Sequence, residues 1–195
     1  MIRIETDAVA ALIGRAFSEL DVTAWLITDS SVRTEVLSAN FAILVEHAQE
    51  HGTIHVLPDA EGDPVAAAVW FHQTAPQPPP PQDYDERLAA ACGQWTPRFR
   101  MLDEAFEAHH PHDVEHHHLA FLAVRRDARC GGLGSRLMDR HHEHLDRAGL
   151  PAYLEASSER VRDLYLRHGY RVVAGGPFIL PEGGPPMWPM WREPA

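Results

Sequence analysis

The run Val124-Arg125-Arg126-Asp127-Ala128-Arg129-Cys130-Gly131-Gly132-Leu133-Gly134-Ser135 decides how this 195-residue chain is read. Before it stands an apolar stretch, Leu119–Val124, that reads as a strand. After it a helix is predicted over Gly131–Ala148, with Leu133, Leu137, Met138, His141 and Leu145 on one face and Gly149-Leu150-Pro151 as its stop. A strand that enters a helix through glycines leaves consecutive backbone N–H groups uncovered at the helix N-terminus, where unpaired donors and the helix dipole favour an anion. Charge agrees. Residues 125–140 hold Arg125, Arg126, Arg129, Arg136 and Arg140 against Asp127 and Asp139, a net +3 in a chain of formal net charge −11. A diphosphate is the ligand this predicts. A P-loop is excluded, because the chain has no lysine, and the Gly-x-Gly-x-x-Gly dinucleotide pattern is absent.

Downstream, Ala152–Glu155 reads as a short strand. A helix from about Ser158 to His168 follows, capped by Ser157 or Ser158, carrying Val161, Leu164, Tyr165 and His168 on one face and stopped by Gly169. Tyr170–Ala174 and Met187–Arg192 read as closing strands. Upstream, residues 7–20 and 31–50 show helical spacing, and Ile54–Leu57 with Val65–Phe71 reads as a hairpin across Pro58–Pro64. The segment 73–83, with Pro76 and Pro78 to Pro81, is a stiff connector, because proline lacks the N–H and fixes φ. Helical pieces broken by Pro97 are predicted over 84–107, with a polar loop through His118.

Composition narrows the function. No apolar run approaches the roughly 18 residues a membrane span needs. The negative balance argues against nucleic acid. Two cysteines, Cys92 and Cys130, make no disulfide framework, and Met1–Asp7 lacks signal-peptide character, so a cytoplasmic location is expected. Histidines are frequent, at 14, in runs such as His109-His110-x-His112, His116-His117-His118 and His141-His142-x-His144. None has the spacing of a defined zinc site, and no metal is expected.

Arg129-x-x-Gly132-x-Gly134 between strand and helix resembles the acyl-CoA-binding motif of the GCN5-related N-acetyltransferases (GNAT). Phe121-Leu122-Ala123-Val124, Arg147 to Glu155, Leu164 to Tyr170 and Trp191-Arg192 follow the family's order. The resemblance is strong over 118–192, looser over the first helices and Val65–Trp70, and rests on length and position over 73–113. It implies an α/β (α+β) fold, a central mixed, mostly antiparallel twisted sheet splayed at the acyl-CoA cleft, with helices on both faces. The whole chain, 1–195, would be one domain, with 73–118 as a Pro-rich, acidic substrate side and 118–192 as the acyl-CoA core.

The resemblance implies acetyl-CoA as co-substrate, attacked directly by an amine. Backbone groups of Leu122, Ala123 and Val124 would hold the thioester and pantetheine arm. Arg129, Cys130, Gly131, Gly132, Leu133, Gly134 and Ser135 would hold the diphosphate. Tyr165 stands where the family protonates the departing sulfur, and a phenol with a reference pKa near ~10 suits that task. For the base, His118, Glu155 and ordered water stay open; an unperturbed imidazole near ~6.5 fits as it stands, although a histidine run at a loop end is commonly solvated. Cys130 replaces the usual glycine, so Gly131 is expected to supply the flexibility and Cys130 to act as a small apolar filler. Val161 stands where the family often has a CoA-binding Asn.

Residues 83–113 carry seven acidic residues, Asp83, Asp85, Glu86, Asp103, Glu104, Glu107 and Asp113, against Arg87, Arg98 and Arg100. An acidic entrance of this kind draws cationic amines, and Trp70, Phe71, Trp95 and Phe99 are candidates to face an aromatic one. The expected partner is therefore a small-molecule amine, in an antibiotic-resistance or detoxification role, with a homodimer as the assembly the family suggests. Two alternatives stand beside it: acetylation of a protein N-terminus or lysine, and a CoA-binding regulator without turnover.

Overall fold

A computed structural model describes residues 5–74 and 78–195. Met1 to Ile4 and Pro76 of the expected connector lie outside the described residues. Three helices open the chain, α1 (Thr6–Phe17), α2 (Asp21–Leu26) and α3 (Arg33–His51). A hairpin of β1 (Gly52–Pro58) and β2 (Pro64–Gln73) follows, its turn tied by the Asp59 carboxylate, which accepts from the Glu61 and Asp63 N–H groups. Gly52 is required where α3 meets β1, because a Cβ there would lie 2.5 Å from the Trp70 carbonyl oxygen. Next come α4 (Tyr84–Cys92), a 3-10 turn and α5 (Thr96–Glu107). Pro97 sits in the first turn of α5, where a missing N–H leaves no helical bond unmade, so it starts a helix rather than breaking one.

The second half supplies β3 (His116–Val124), α6 (Leu133–Ala148), β4 (Ala152–Ala156), α7 (Glu159–Arg167), β5 (Arg171–Val172), β6 (Phe178–Ile179) and β7 (Pro186–Arg192). The sheet runs β1-β2-β3-β4-β7-β5, with β6 on β7. Every pairing is antiparallel except β3 with β4. This is the expected mixed, mostly antiparallel sheet. No helix among the described residues is long and apolar enough to cross a membrane.

Each face of the sheet carries a core. Ala67, Val69 and Ala123 meet Val9, Leu12, Ile13, Leu37, Phe41, Leu88 and Phe99 from α1, α3, α4 and α5. Ala66, Ala68, Trp70 and Leu119 meet Leu137, Met138 and Leu145 from α6 and Tyr165 from α7. Successive residues of β2 thus point into different cores, which is why Val65–Phe71 is apolar throughout instead of alternating. Full burial of one such Leu or Met contributes about 1.5–3 kcal/mol. A fork from Arg192 to Asp146, at 2.7 and 2.8 Å, fastens the end of α6 to β7.

Two boundaries differ from expectation. β3 begins at His116 rather than Leu119, because His116, His117 and His118 pair with Gln73, His72 and Phe71 of a correspondingly longer β2. The histidine run is therefore inside the sheet, with His116 and His117 buried, rather than solvated at a loop end. α6 begins at Leu133 rather than Gly131, because Gly132 adopts a left-handed φ of 73° ahead of the first turn.

Candidate active site

β3 and β4 pair at only two registers, His117 with Ala152 and His118 with Tyr153. Beyond them the strands part. The parting leaves the β4-facing edge of Leu119–Val124 without a neighbouring strand, which opens a cleft in the middle of the sheet. Ala120 is an extra residue on β3: Val69 pairs with Phe121 and Trp70 with Leu119.

At the apex of this parting the two base candidates meet. His118 Nε2 lies 2.9 Å from Glu155 Oε2, with side chains 17% and 4% exposed. Burial pushes the Glu155 carboxyl upward, but His118 and His110 outweigh it and hold the group below the usual carboxylate range, at about 2. An ionised, buried carboxylate beside an imidazole fixes the ring and its tautomer. His116, on the same face, donates from Nδ1 to the Val114 carbonyl at 2.7 Å, and burial pushes it down to about 4, so it is neutral.

The glycine turn is built as a cradle. Residues 126–128 form a 3-10 turn, and no side chain caps α6, so the first N–H groups of that helix point outward unclaimed by a cap. A Cβ at Gly132 would meet nothing within 4 Å; its glycine is required by φ alone. Gly134 seats the helix against β3, where an added Cβ would lie 3.6 Å from the Leu122 and Val124 side chains. Cys130, at φ 68°, takes the left-handed conformation itself, while Gly131 does not. Gly131 thus does not supply the flexibility for its neighbour, and Cys130 is exposed rather than an apolar filler. Arg126 and Arg129 reach back to Glu19 at 2.6 and 3.3 Å, and Arg129 also donates to the Ala16 carbonyl, tying the loop to the end of α1. Ser135 Oγ lies 3.0 Å from His168 Nε2.

Tyr165 lies on the opposite face from His118 and Glu155, buried near Tyr170 at 5.7 Å between ring centroids. Burial pushes its phenol well up, which keeps it protonated. Ser158 caps α7 by accepting from Val161 N–H, so Val161 contributes apolar packing where an Asn was looked for.

Residues 100–172 match the acetyltransferase (GNAT) domain family. Solved structures similar to this chain include a Corynebacterium glutamicum protein described as histone acetyltransferase HPA2 and related acetyltransferase. It is 25% identical, with a TM-score of 0.75, over 100% of this chain and 94% of that one. An arylalkylamine N-acetyltransferase 2 from Aedes aegypti, 14% identical with a TM-score of 0.61, covers 97% and 94%. An agmatine N-acetyltransferase mutant, 19% identical with a TM-score of 0.59, covers 97% and 95%.

The far side of the cleft differs from the residue-type reading. Trp70 is fully buried under α6, stacked on His141 at 4.1 Å, and Phe99 is core, so neither faces a substrate. Phe17, Phe41 and Phe121 instead form an edge-to-face set at 4.9–6.1 Å on the His118 face. The acidic segment is also partly neutralised. Asp103 is half-buried and accepts from the Tyr84 hydroxyl at 2.9 Å, its carboxyl raised to about 6 by burial, and Asp85 pairs with Arg100. The loop after α5 folds over the end of β4, where the Tyr153 hydroxyl donates to the His109 carbonyl at 3.3 Å and the His110 ring stands edge-on to Tyr153 at 4.9 Å. His110 was noticed in sequence only as part of a histidine run. No periodicity links it to β4, 45 residues away.

Proposed function

We propose that this protein transfers the acetyl group of acetyl-CoA to the amine of a small, cationic molecule by direct attack, with both substrates bound together. The observation that carries the reading is the His118–Glu155 pair at the point where β3 and β4 part. Acetyl-CoA supplies the activated acyl group. The uncapped N-terminus of α6 and the cradle from Arg129 to Ser135 suit its diphosphate, and the unpaired edge of Leu122, Ala123 and Val124 suits its pantetheine arm.

Three tasks then fall to side chains. His118, whose Nε2–H donates to Glu155, keeps its Nδ1 lone pair to accept the ammonium proton, while Glu155 positions the ring and stabilises the imidazolium that forms. Tyr165, kept protonated by burial, gives a proton to the departing thiolate from the other face. N–H groups on the open edge of β3 hold the carbonyl oxygen as charge develops there.

The covering of β4 by the loop after α5 favours a small acceptor over a polypeptide laid in an open groove. The aromatic set of Phe17, Phe41 and Phe121 and the remaining carboxylates Asp83, Glu86, Glu104, Glu107 and Asp113 favour one that is amphipathic and positively charged. The runs Phe121–Val124, Gly132–Ser135, Arg147–Glu155, Leu164–Tyr170 and Trp191-Arg192 resemble puromycin N-acetyltransferase, which makes an aminonucleoside the first acceptor to try, in an antibiotic-protective role. The test is release of free CoA thiol across arylalkylamines, agmatine, aminonucleosides and N-terminal peptides. Turnover of a small amine is expected; preference for peptides would replace the reading with protein acetylation, and CoA binding with no turnover on any amine would replace it with a silent regulator.

A further inference from the structure

A second imidazole aims at the same carboxylate. His110 Nδ1 lies 4.0 Å from Glu155 Oε1, too far for a hydrogen bond, and Oε1 is buried with no hydrogen-bond partner among the described residues. An orphaned oxygen on a carboxylate only 4% exposed is costly, so something positive belongs beside it. The ring's own bonding says what kind. His116 Nδ1 donates to the Val114 carbonyl, which leaves its Nε2 turned to the His110 ring. His110 Nε2 lies 3.1 Å from it and is taken up by that contact. His110 Nδ1 is the ring atom left to face the orphaned oxygen.

An imidazole nitrogen and an unsatisfied carboxylate oxygen facing one another across 4.0 Å, with His118 Nε2 2.9 Å from the other carboxylate oxygen, match a cation's coordination shell. The donor atoms of His110, His118 and Glu155 all lie within 4.8 Å of one another. A tetrahedral zinc ion at about 2.0–2.1 Å from each ligand sets neighbouring ligand atoms roughly 3.3 Å apart, so the His110 contact needs to shorten by well under 1 Å.

We propose that His110 Nδ1, His118 Nε2 and Glu155 bind a zinc-class divalent ion, and that this ion switches the acetyltransferase off. The switch follows from the tautomer. A metal on Nε2 takes that lone pair and leaves the neutral ring's proton on Nδ1, the atom that has to accept the proton of the amine. Glu155, drawn onto the ion, also stops positioning the ring. The inhibitory consequence rests on the acetyl-transfer reading above; the ion site itself does not.

The experiment strips the full chain with chelator and titrates it with Co2+, reading visible ligand-field absorption, and with Zn2+ by calorimetry. One tight site with a low-coordinate Co2+ spectrum is expected. His110→Ala and Glu155→Gln are each expected to weaken it more than tenfold, with circular dichroism confirming the fold. His144→Ala, in the separate surface groove shared with His55 and His141, is expected to leave it unchanged. Equal affinity in the His110 and Glu155 variants, loss in the His144 variant, or no binding to the native chain overturns the site. Zn2+ at saturation is expected to abolish acetyl transfer in the native protein and to inhibit His110→Ala only at more than tenfold higher concentration. Full turnover with the ion bound overturns the switch. Absence of turnover in the metal-free chain speaks against the acetylation reading alone, because the Co2+ spectrum reports the site without it.

Discussion

If Glu155 works only through His118, the two residues form one catalytic unit, and their substitutions must fail to multiply. Glu155→Gln keeps shape and volume but removes the charge that faces His118 at 2.9 Å. A charge-assisted hydrogen bond of this kind, on a carboxylate only 4% exposed, contributes about 1.5–3 kcal/mol, and each 1.36 kcal/mol in the barrier is a factor of ten. The expected loss in kcat for the amine is therefore about 10- to 150-fold. Removing the base itself with His118→Ala is expected to lower kcat about 10²- to 10⁴-fold. In the double variant the carboxylate has no ring to position, so the rate should fall no further than in His118→Ala alone. Steady-state release of CoA thiol from metal-free protein measures all four corners of the cycle, with thermal unfolding run alongside to set aside loss of fold. Losses that multiply across the two sites would show Glu155 acting independently of His118, and the positioning argument would be wrong.

Three further outcomes are expected. Tyr165→Phe should lower kcat more than tenfold while leaving the KM for acetyl-CoA and the Tm nearly unchanged, because no described residue hydrogen-bonds the hydroxyl; an unchanged kcat would remove Tyr165 as the acid. Cys130→Gly should raise stability by up to about 1 kcal/mol in denaturant titration. The left-handed φ of 68° strains a side-chain-bearing residue by roughly 1–2 kcal/mol, against about 0.5–1 kcal/mol of extra chain entropy for glycine, and a fall in the midpoint would contradict this. Acid should destabilise the fold below neutrality: burial holds His142 at about 4 and His141 lower still, whereas both titrate near ~6.5 when unfolded. The unfolded chain then binds more protons between these values, so stability is complete above about pH 6.5 and is lost as pH falls toward 4, at roughly 2 kcal/mol per histidine by pH 5. Urea midpoints that stay flat from pH 7.5 to 5 would show that these rings are not buried neutral.

What the sequence made legible is local. The glycine turn, the Ser158 cap, the Gly149 and Gly169 stops and the hairpin turn at Asp59 each depend on the conformational limits of a few adjacent residues, and each stands where the pattern put it. What it hid is what tertiary contact decides. Polar side chains at His116 to His118 read as loop because the rings that satisfy them, His110, His141 and His72, come from three other elements. α2 has six residues, too few for periodicity, and is held by the Thr23 hydroxyl on the Phe17 and Leu20 carbonyls. The sequence leaves His118, Glu155 and ordered water open as the base, because nothing in a linear pattern brings residues 37 apart within 2.9 Å; only the parallel register of β3 and β4 does.

That register would not serve without the extra residue beside it. In a regular strand His118 shares a face with Ala120, Leu122 and Val124, and the catalytic ring would then project toward the same side as the residues that seat α6. Because Ala120 is left unpaired, the alternation reverses within β3. His118, Phe121 and Ala123 face the α1 and α3 side, while Leu119, Leu122 and Val124 face α6. One strand therefore turns His118 and Phe121 to one face and packs α6 against the other. The parting of β3 from β4 begins two residues before this reversal, so the open edge and the change of facing coincide. Inside the sheet, away from its β1 and β5 edges, this is where backbone donors of the described strands lose their neighbour and the side chains on either side answer to different cores, which is why the proposed chemistry is assigned there.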